Sequence, residues 1–315
     1  MKIVIKIIIG IFAVIGLLCI LLIGCSSLLK NASNSLNAPE NYQETVETGG
    51  GLEQKYMKNG AYGVSVYEEA ALQGFSKYII YYPEQLTQEH DTYPVIVLCN
   101  GTGVPLSKYT SVAKHFASWG FIVIGTEEEF DWNGFAAEMC VRHLCLLNER
   151  NTINDVENIF YQKIDMENVG VAGHSQGGVG VINAITAQQS KDIFKAAVAI
   201  SPTNKELSCG LQWDYDATKI NIPIMLLSGA GGGDDWVVTG EQLEDIFADI
   251  DSNKIMLRRK DTPHGEMLYS ANGYITAWFM WQLRHDEDAA KAFTGETPEL
   301  THNPLYQDQK MDLSN

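Results

Sequence analysis

Between residues 60 and 284, short apolar runs alternate with stretches in which apolar residues recur every three or four positions. The runs at residues 64–67, 78–82, 95–99, 121–125, 169–172, 196–200, 222–227 and 254–257 have the length of strands. The stretches at 108–119, 135–147, 178–189, 240–250 and 274–284 carry the helical period. Strands alternating with helices predict an α/β fold: a mostly parallel sheet of about eight strands, with helices covering both faces. About 225 residues in this pattern suit one domain with a sizeable core.

The two ends of the chain break the pattern. Lys2 and Lys6 precede an almost wholly apolar run at 7–23, which closes on Leu22-Ile23-Gly24-Cys25 and then Ser26-Ser27. A charged start, an apolar middle and a small-residue exit predict a signal peptide over residues 1–24, outside the fold. Its last four residues resemble the lipobox of bacterial lipoproteins. That resemblance implies that Cys25 becomes the lipidated N-terminus, and several acyl chains anchor more firmly than one. The alternative is an uncleaved membrane helix, because 17 apolar residues lie near the lower limit for a span. Either way the folded domain is expected outside the cytoplasm, with the membrane as a partner through the N-terminus. Residues 25–51, rich in Asn, Ser, Gly and Glu, are expected to form the lipidated Cys and a flexible tether. Residues 291–315 read as a polar C-terminal tail.

The formal net charge is −17, and it becomes −19 once Lys2 and Lys6 leave with the leader. Binding nucleic acid needs clustered Lys and Arg, so that class of function is disfavoured. The charge suits solubility at an exposed surface. Of six cysteines, Cys99, Cys140, Cys145 and Cys209 remain after Cys19 and Cys25 are set aside. Four cysteines allow three pairings, or all four are free. Cys140 and Cys145 would point about 140° apart on a helix, which argues against their pairing with each other. No spacing resembles a zinc site, and no metal or cofactor is expected.

One short segment carries the chemistry. Val169-Gly-Val-Ala-Gly173-His174-Ser175-Gln176-Gly177-Gly178 is a short apolar strand, a sharp turn and the start of a helix. This is the context of a G-x-S-x-G nucleophile elbow. Glycines are needed at 173 and 177, where side chains would collide with neighbouring backbone, and the turn leaves Ser175 exposed. Ligands of such a sheet collect at the carboxyl ends of its strands, which is where Ser175 falls.

Eight strands, Gly-His-Ser-Gln-Gly after the fifth, an acidic residue after the seventh and a histidine after the eighth resemble the α/β-hydrolase fold. The resemblance covers about residues 60–284 and assigns residues 52–290 to a catalytic domain. Its flavour is similar to the small cap-less esterases: the dienelactone hydrolase, chlorophyllase and cutinase or polyester hydrolase groups. The phrase Phe116-Ala-Ser-Trp-Gly-Phe-Ile-Val-Ile-Gly125 is similar to the helix and fourth strand of that branch.

A serine hydroxyl needs a base, and the fold's chain order of Ser, acid, His admits only histidines after Ser175. His285 and His302 fall in solvent-exposed contexts, which leaves His264, in the loop after the eighth strand, as general base. The family pattern places one variable residue and then two apolar or small ones after the acid. In Gly229-Ala-Gly-Gly-Gly-Asp234-Asp235-Trp236-Val237-Val238 this aligns Asp235 as the acid, with Asp234 as the alternative. Its role would be to accept the imidazole N–H and stabilise the imidazolium. The oxyanion would be held by the backbone N–H of Gln176, at a helix start, and by a second donor from Cys99-Asn100-Gly101-Thr102-Gly103. The resemblance gives Thr102 that part, with Gly103 as the alternative. The sequon at Asn100 reads as accidental.

Only about 20 residues separate the sixth and seventh strands, too few for a lid domain. The cleft is therefore expected to be open, with Tyr109, Trp132, Trp213 and Trp236 as candidate walls. Glu127-Glu128-Glu129 reads as a solvated run rather than a charged mouth. The leading expectation is an exported, lipid-anchored serine hydrolase cleaving small or polymeric carboxylic esters. The alternatives are amide or peptide cleavage with the same triad, and a binding lipoprotein without turnover. Oligomeric state is not legible.

Overall fold

The computed structural model describes residues 37–71, 77–88 and 91–313. The expected leader at 1–24 and the expected lipidation residue Cys25 lie outside the described residues. Among the described residues no helix is long and apolar enough to cross a membrane.

Among the described residues nine strands form one sheet. They are β1 (Val64–Glu69), β2 (Tyr78–Pro83), β3 (Tyr93–Cys99), β4 (Ile122–Thr126), β5 (Ile164–His174), β6 (Phe194–Ile200), β7 (Ile224–Ala230), β8 (Lys254–Lys260) and β9 (Tyr306–Asp312). Their order across the sheet is β1-β2-β4-β3-β5-β6-β7-β8-β9. From β4 to β8 neighbouring strands run parallel, while β1, β2 and β9 are antiparallel to their neighbours. This is the mostly parallel sheet of an α/β-hydrolase fold. The central strand β3 is buried at every position because helices cover it on both sides.

Alternation along β3 sorts those helices. Val95, Val97 and Cys99 join the core that includes Cys140 and Leu144 of α3 (Phe135–Glu149), Val181 of α4 (Gln176–Thr186), and Leu243 and Ile246 of α5 (Gly240–Asp249). The opposite face packs α2 (Thr110–Ser118) and α6 (Asn272–Arg284), whose Phe116 and Phe279 rings meet edge-on at 6.1 Å. Each aromatic fully buried in this way contributes about 1.5–3 kcal/mol. All four of Cys99, Cys140, Cys145 and Cys209 are free thiols.

Two boundaries differ from the sequence reading. Residues 38–51 are not part of a tether. Tyr42 is fully buried and its hydroxyl accepts from Asn272 Nδ2 at 2.6 Å, while the Ala38 N–H reaches the Lys108 carbonyl at 2.9 Å. From Ala38 onward the chain belongs to the compact unit. The stretch 291–313 is not a free tail either, since Phe293 and Leu300 are buried and β9 pairs with β8. Both segments have polar compositions because they bury single anchor residues rather than a periodic face. What holds them is hydrogen bonding. Glu299 accepts the first N–H groups of the helix α1 (Gly51–Met57), from Leu52 at 2.7 Å and Glu53 at 2.8 Å. Buried Glu53 in turn accepts from Arg259 (3.2 Å), Tyr306 (2.6 Å) and Asn303 (2.7 Å). The charge is desolvated but fully partnered, as burial demands.

Candidate active site

The elbow follows β5 directly. Gly173 and Gly177 lie so close to neighbouring backbone that a Cβ would come within 2.3 Å of the Gly177 and Cys99 carbonyl oxygens respectively. Ser175 between them adopts φ 62° and ψ −123°. Such a conformation costs a non-glycine residue about 1–3 kcal/mol. Its neighbours hold it there: the Ser175 N–H donates to the Ile200 carbonyl at 2.8 Å, and its own carbonyl accepts the Gly178 N–H at 2.9 Å. The hydroxyl is partly exposed at the start of α4.

His264 leaves the loop after β8 and points its Nε2 at Ser175 Oγ, 2.9 Å away. Its other nitrogen, Nδ1, is 2.5 Å from Asp234 Oδ1. Asp234 is fully buried, and its second oxygen accepts from Ser201 Oγ at 2.8 Å and from the Gly229 N–H. Both carboxylate oxygens are thus hydrogen-bonded within the protein, as burial demands. Ser175, His264 and Asp234 therefore form one hydrogen-bonded chain.

Asp235, the expected acid, is not part of it. It sits half exposed and pairs with Arg258, while its Oδ2 accepts the Gly231 N–H at 3.2 Å. Three glycines at positive φ, Gly231, Gly232 and Gly233, turn the loop so that Asp234 opens a short 3-10 turn facing inward and Asp235 faces outward. The family spacing aligned Asp235, whereas the glycine run turns Asp234 toward His264. The missed signal was Arg258. An arginine inside a buried strand needs an acidic partner, and Asp235 is the residue it takes.

His174 was also missed. It is buried beneath the base, its ring 4.4 Å from the His264 ring, and its Nε2 lies 2.8 Å from the His264 carbonyl oxygen, to which it donates. Burial pushes the His174 imidazole well below its usual range, so it remains a neutral donor. It thereby fixes the backbone of the base from below. Trp236 flanks the same ring from the solvent side, 5.6 Å away and 64% exposed.

The loop after β3 closes the other side. A Cβ on Gly101 would stand 3.1 Å from the His174 carbonyl and 3.7 Å from Ser175 Cβ, so this loop abuts the nucleophile. The Gly103 N–H is spent on the Glu129 carbonyl at 2.9 Å. That removes Gly103 as a free donor, whereas the Thr102 N–H makes no hydrogen bond among the described residues. Asn100 anchors the loop, donating to the Thr126 and Glu128 carbonyls at 2.8 Å each and accepting from Tyr109. Its amide is buried and fully engaged, which leaves the sequon nothing to glycosylate. The acidic run 127–129 thus acts through its backbone, and the Glu127 side chain is taken up by Ser107.

Gln176 opens α4, where the helix adds positive potential at its N-terminus. Its side chain is turned away from the cleft and accepts the Asp131 N–H at 2.9 Å. Of the expected cleft walls, Tyr109 is buried and serves Asn100 instead, Trp132 and Trp213 are half buried, and Trp236 stands open beside the base. Among the described residues no group of three or more His, Cys, Asp or Glu could hold a metal ion.

Comparison with known proteins bears on the family. A family model described as PETase, PET hydrolase-like, matches residues 48–273. Cutinase cut1 of Thermobifida fusca is 29% identical over 174 residues, covering 53% of this chain and 51% of that protein. Cutinase 2 of Thermobifida cellulosilytica is 30% identical over 151 residues, 46% of this chain and 52% of that protein. A bis(hydroxyethyl) terephthalate hydrolase of Streptomyces coelicolor is 28% identical over 140 residues, 44% and 41% of the two chains. The chain spans about half the length of the curated relatives it matches.

Proposed function

Given that the chain belongs to the PET hydrolase-like family, we propose that it is a serine esterase that cleaves carboxylic esters through an acyl-Ser175 intermediate. The observation that carries this reading is the chain of hydrogen bonds from Ser175 Oγ through His264 to Asp234, at 2.9 and 2.5 Å. Ser175 Oγ attacks the ester carbonyl while His264 Nε2 takes its proton. Asp234 stabilises the imidazolium through Nδ1 and keeps the ring in the useful tautomer. The Gln176 and Thr102 N–H groups receive the developing oxyanion. His264 then protonates the leaving alcohol, and water, deprotonated by the same imidazole, releases the acid.

The names of the relatives, cutinases and a bis(hydroxyethyl) terephthalate hydrolase, point to esters with an aromatic or otherwise apolar acyl group, and the open Trp236 beside His264 offers such a group an apolar wall. We extend the reading to location: a signal peptide at 1–24 and a lipidated Cys25 would hold the enzyme at an extracytoplasmic membrane surface. Cys25→Ser is then expected to move the protein from the membrane fraction to the soluble one.

A fluorophosphonate probe should label wild type at Ser175 and leave Ser175→Ala unlabelled. Short p-nitrophenyl esters should turn over far faster than aminoacyl anilides. Folded wild type that neither labels nor cleaves esters rules the reading out, and a preference for anilides replaces it with an amidase.

A further inference from the structure

Arg258 is a buried cation, 7% exposed, that acyl transfer does not use. Its guanidinium touches both ends of the loop that presents Asp234. At the near end Nη2 donates to the Gly229 carbonyl at 2.9 Å, and Nε donates to Ser228 Oγ at 3.1 Å and to the same carbonyl at 3.2 Å. At the far end Nη2 pairs with Asp235 Oδ1. Nη1 reaches Asp308 on β9 at 3.4 Å.

Between the two anchor points lie Gly231, Gly232 and Gly233, with φ of 88°, 62° and 93°. Consecutive glycines lose more conformational freedom on ordering than any other sequence. Packing does little to offset that loss. A Cβ at Gly231 would meet nothing within 4 Å, one at Gly233 only the Trp236 ring at 3.9 Å, and only Gly232 abuts another segment, at Pro263. Yet Asp234, the next residue, must hold a 2.5 Å bond to His264. Gly229, whose N–H donates to Asp234, is the residue whose carbonyl Arg258 grips.

We propose that Arg258 is the positioning residue of the acid. It clamps Gly229 and Asp235 on either side of the glycine run, so that Asp234 meets His264 Nδ1 in line. Asp235 is the clamp's second jaw, since its other oxygen also ties the Gly231 N–H. The planar guanidinium suits the task because it presents several donors in a fixed fork, which a lysine ammonium does not. The proposal rests on the serine-esterase reading above.

The test compares Arg258→Met, Arg258→Lys, Asp235→Asn and the Arg258→Met/Asp235→Asn double variant on a soluble p-nitrophenyl ester. Rates are normalised to active sites titrated with fluorophosphonate and measured well below each variant's Tm. Arg258→Met should lower kcat on the order of 10- to 100-fold, the scale of a small misplacement, with KM changed less than about twofold. The acidic limb of its pH–rate profile should move to lower pH, because the imidazolium loses its aligned carboxylate. Arg258→Lys should recover part of kcat. Asp235→Asn should cost less, and the double variant should be no worse than Arg258→Met alone, because the two residues act as one clamp. An Arg258→Met enzyme with wild-type kcat per active site and an unmoved acidic limb overturns the proposal, as do fully additive losses in the double variant. Wild type without ester turnover overturns the esterase reading and this proposal together; wild-type turnover beside an indifferent Arg258→Met overturns this one alone.

Discussion

Asp131 sits beneath the elbow, fully buried, and burial pushes its carboxyl up from 3.8 to about 7. One oxygen accepts the Ala136 N–H at 3.1 Å. In the unfolded chain this group ionises near pH 4, so between pH 4 and 7 the folded state binds the extra proton. Stability from this group is therefore present at low pH and lost as pH rises through about 7. Asp131→Asn keeps the acceptor for Ala136 and cannot ionise. At about 1.4 kcal/mol per pH unit, the variant should gain about 2–3 kcal/mol on wild type between pH 5 and pH 8.5, most of it below pH 7. For a domain of this size that is a relative Tm gain of roughly 5–10 °C. Paired thermal melts at matched ionic strength, from pH 5 to 8.5, measure it, and all other titrating groups cancel in the difference. A wild-type-minus-variant stability that stays flat with pH would show that Asp131 ionises normally, and the burial argument would fail.

Three further outcomes are expected. Asp234→Asn should lower kcat/KM by up to about 10⁴-fold, because the amide cannot hold the imidazole in its working tautomer, whereas Asp235→Asn should cost tenfold or less; kcat/KM for both decides it, and the reverse order would make Asp235 the acid. His264→Ala should remove nearly all ester turnover in a p-nitrophenyl ester assay, and a variant that keeps the wild-type rate is incompatible with a histidine base. Arg259→Met leaves the buried carboxylate of Glu53 without its cation and should destabilise the fold by about 3–5 kcal/mol in urea unfolding, with kcat per folded molecule little changed.

What the sequence by itself determined was whatever repeats along the chain or is fixed by local backbone. Continuous apolar runs announce strands buried on both faces, so the parallel sheet was legible. Gly173 and Gly177 announce a turn too tight for side chains, so the elbow and Ser175 were legible too. His264 followed from chain order. Tertiary structure alone decided between the adjacent aspartates. Neighbours in sequence share composition and propensity, and only the left-handed glycine run and the distant cation Arg258 sort Asp234 inward and Asp235 outward. It also decided that 38–51 and 291–313 belong to the fold. Such segments are held by single anchors, Tyr42 to Asn272 and Tyr306 to Glu53, over 200 residues apart in sequence. A contact that joins two distant positions once leaves no period to read, and it forms only after the sheet has brought its partners together.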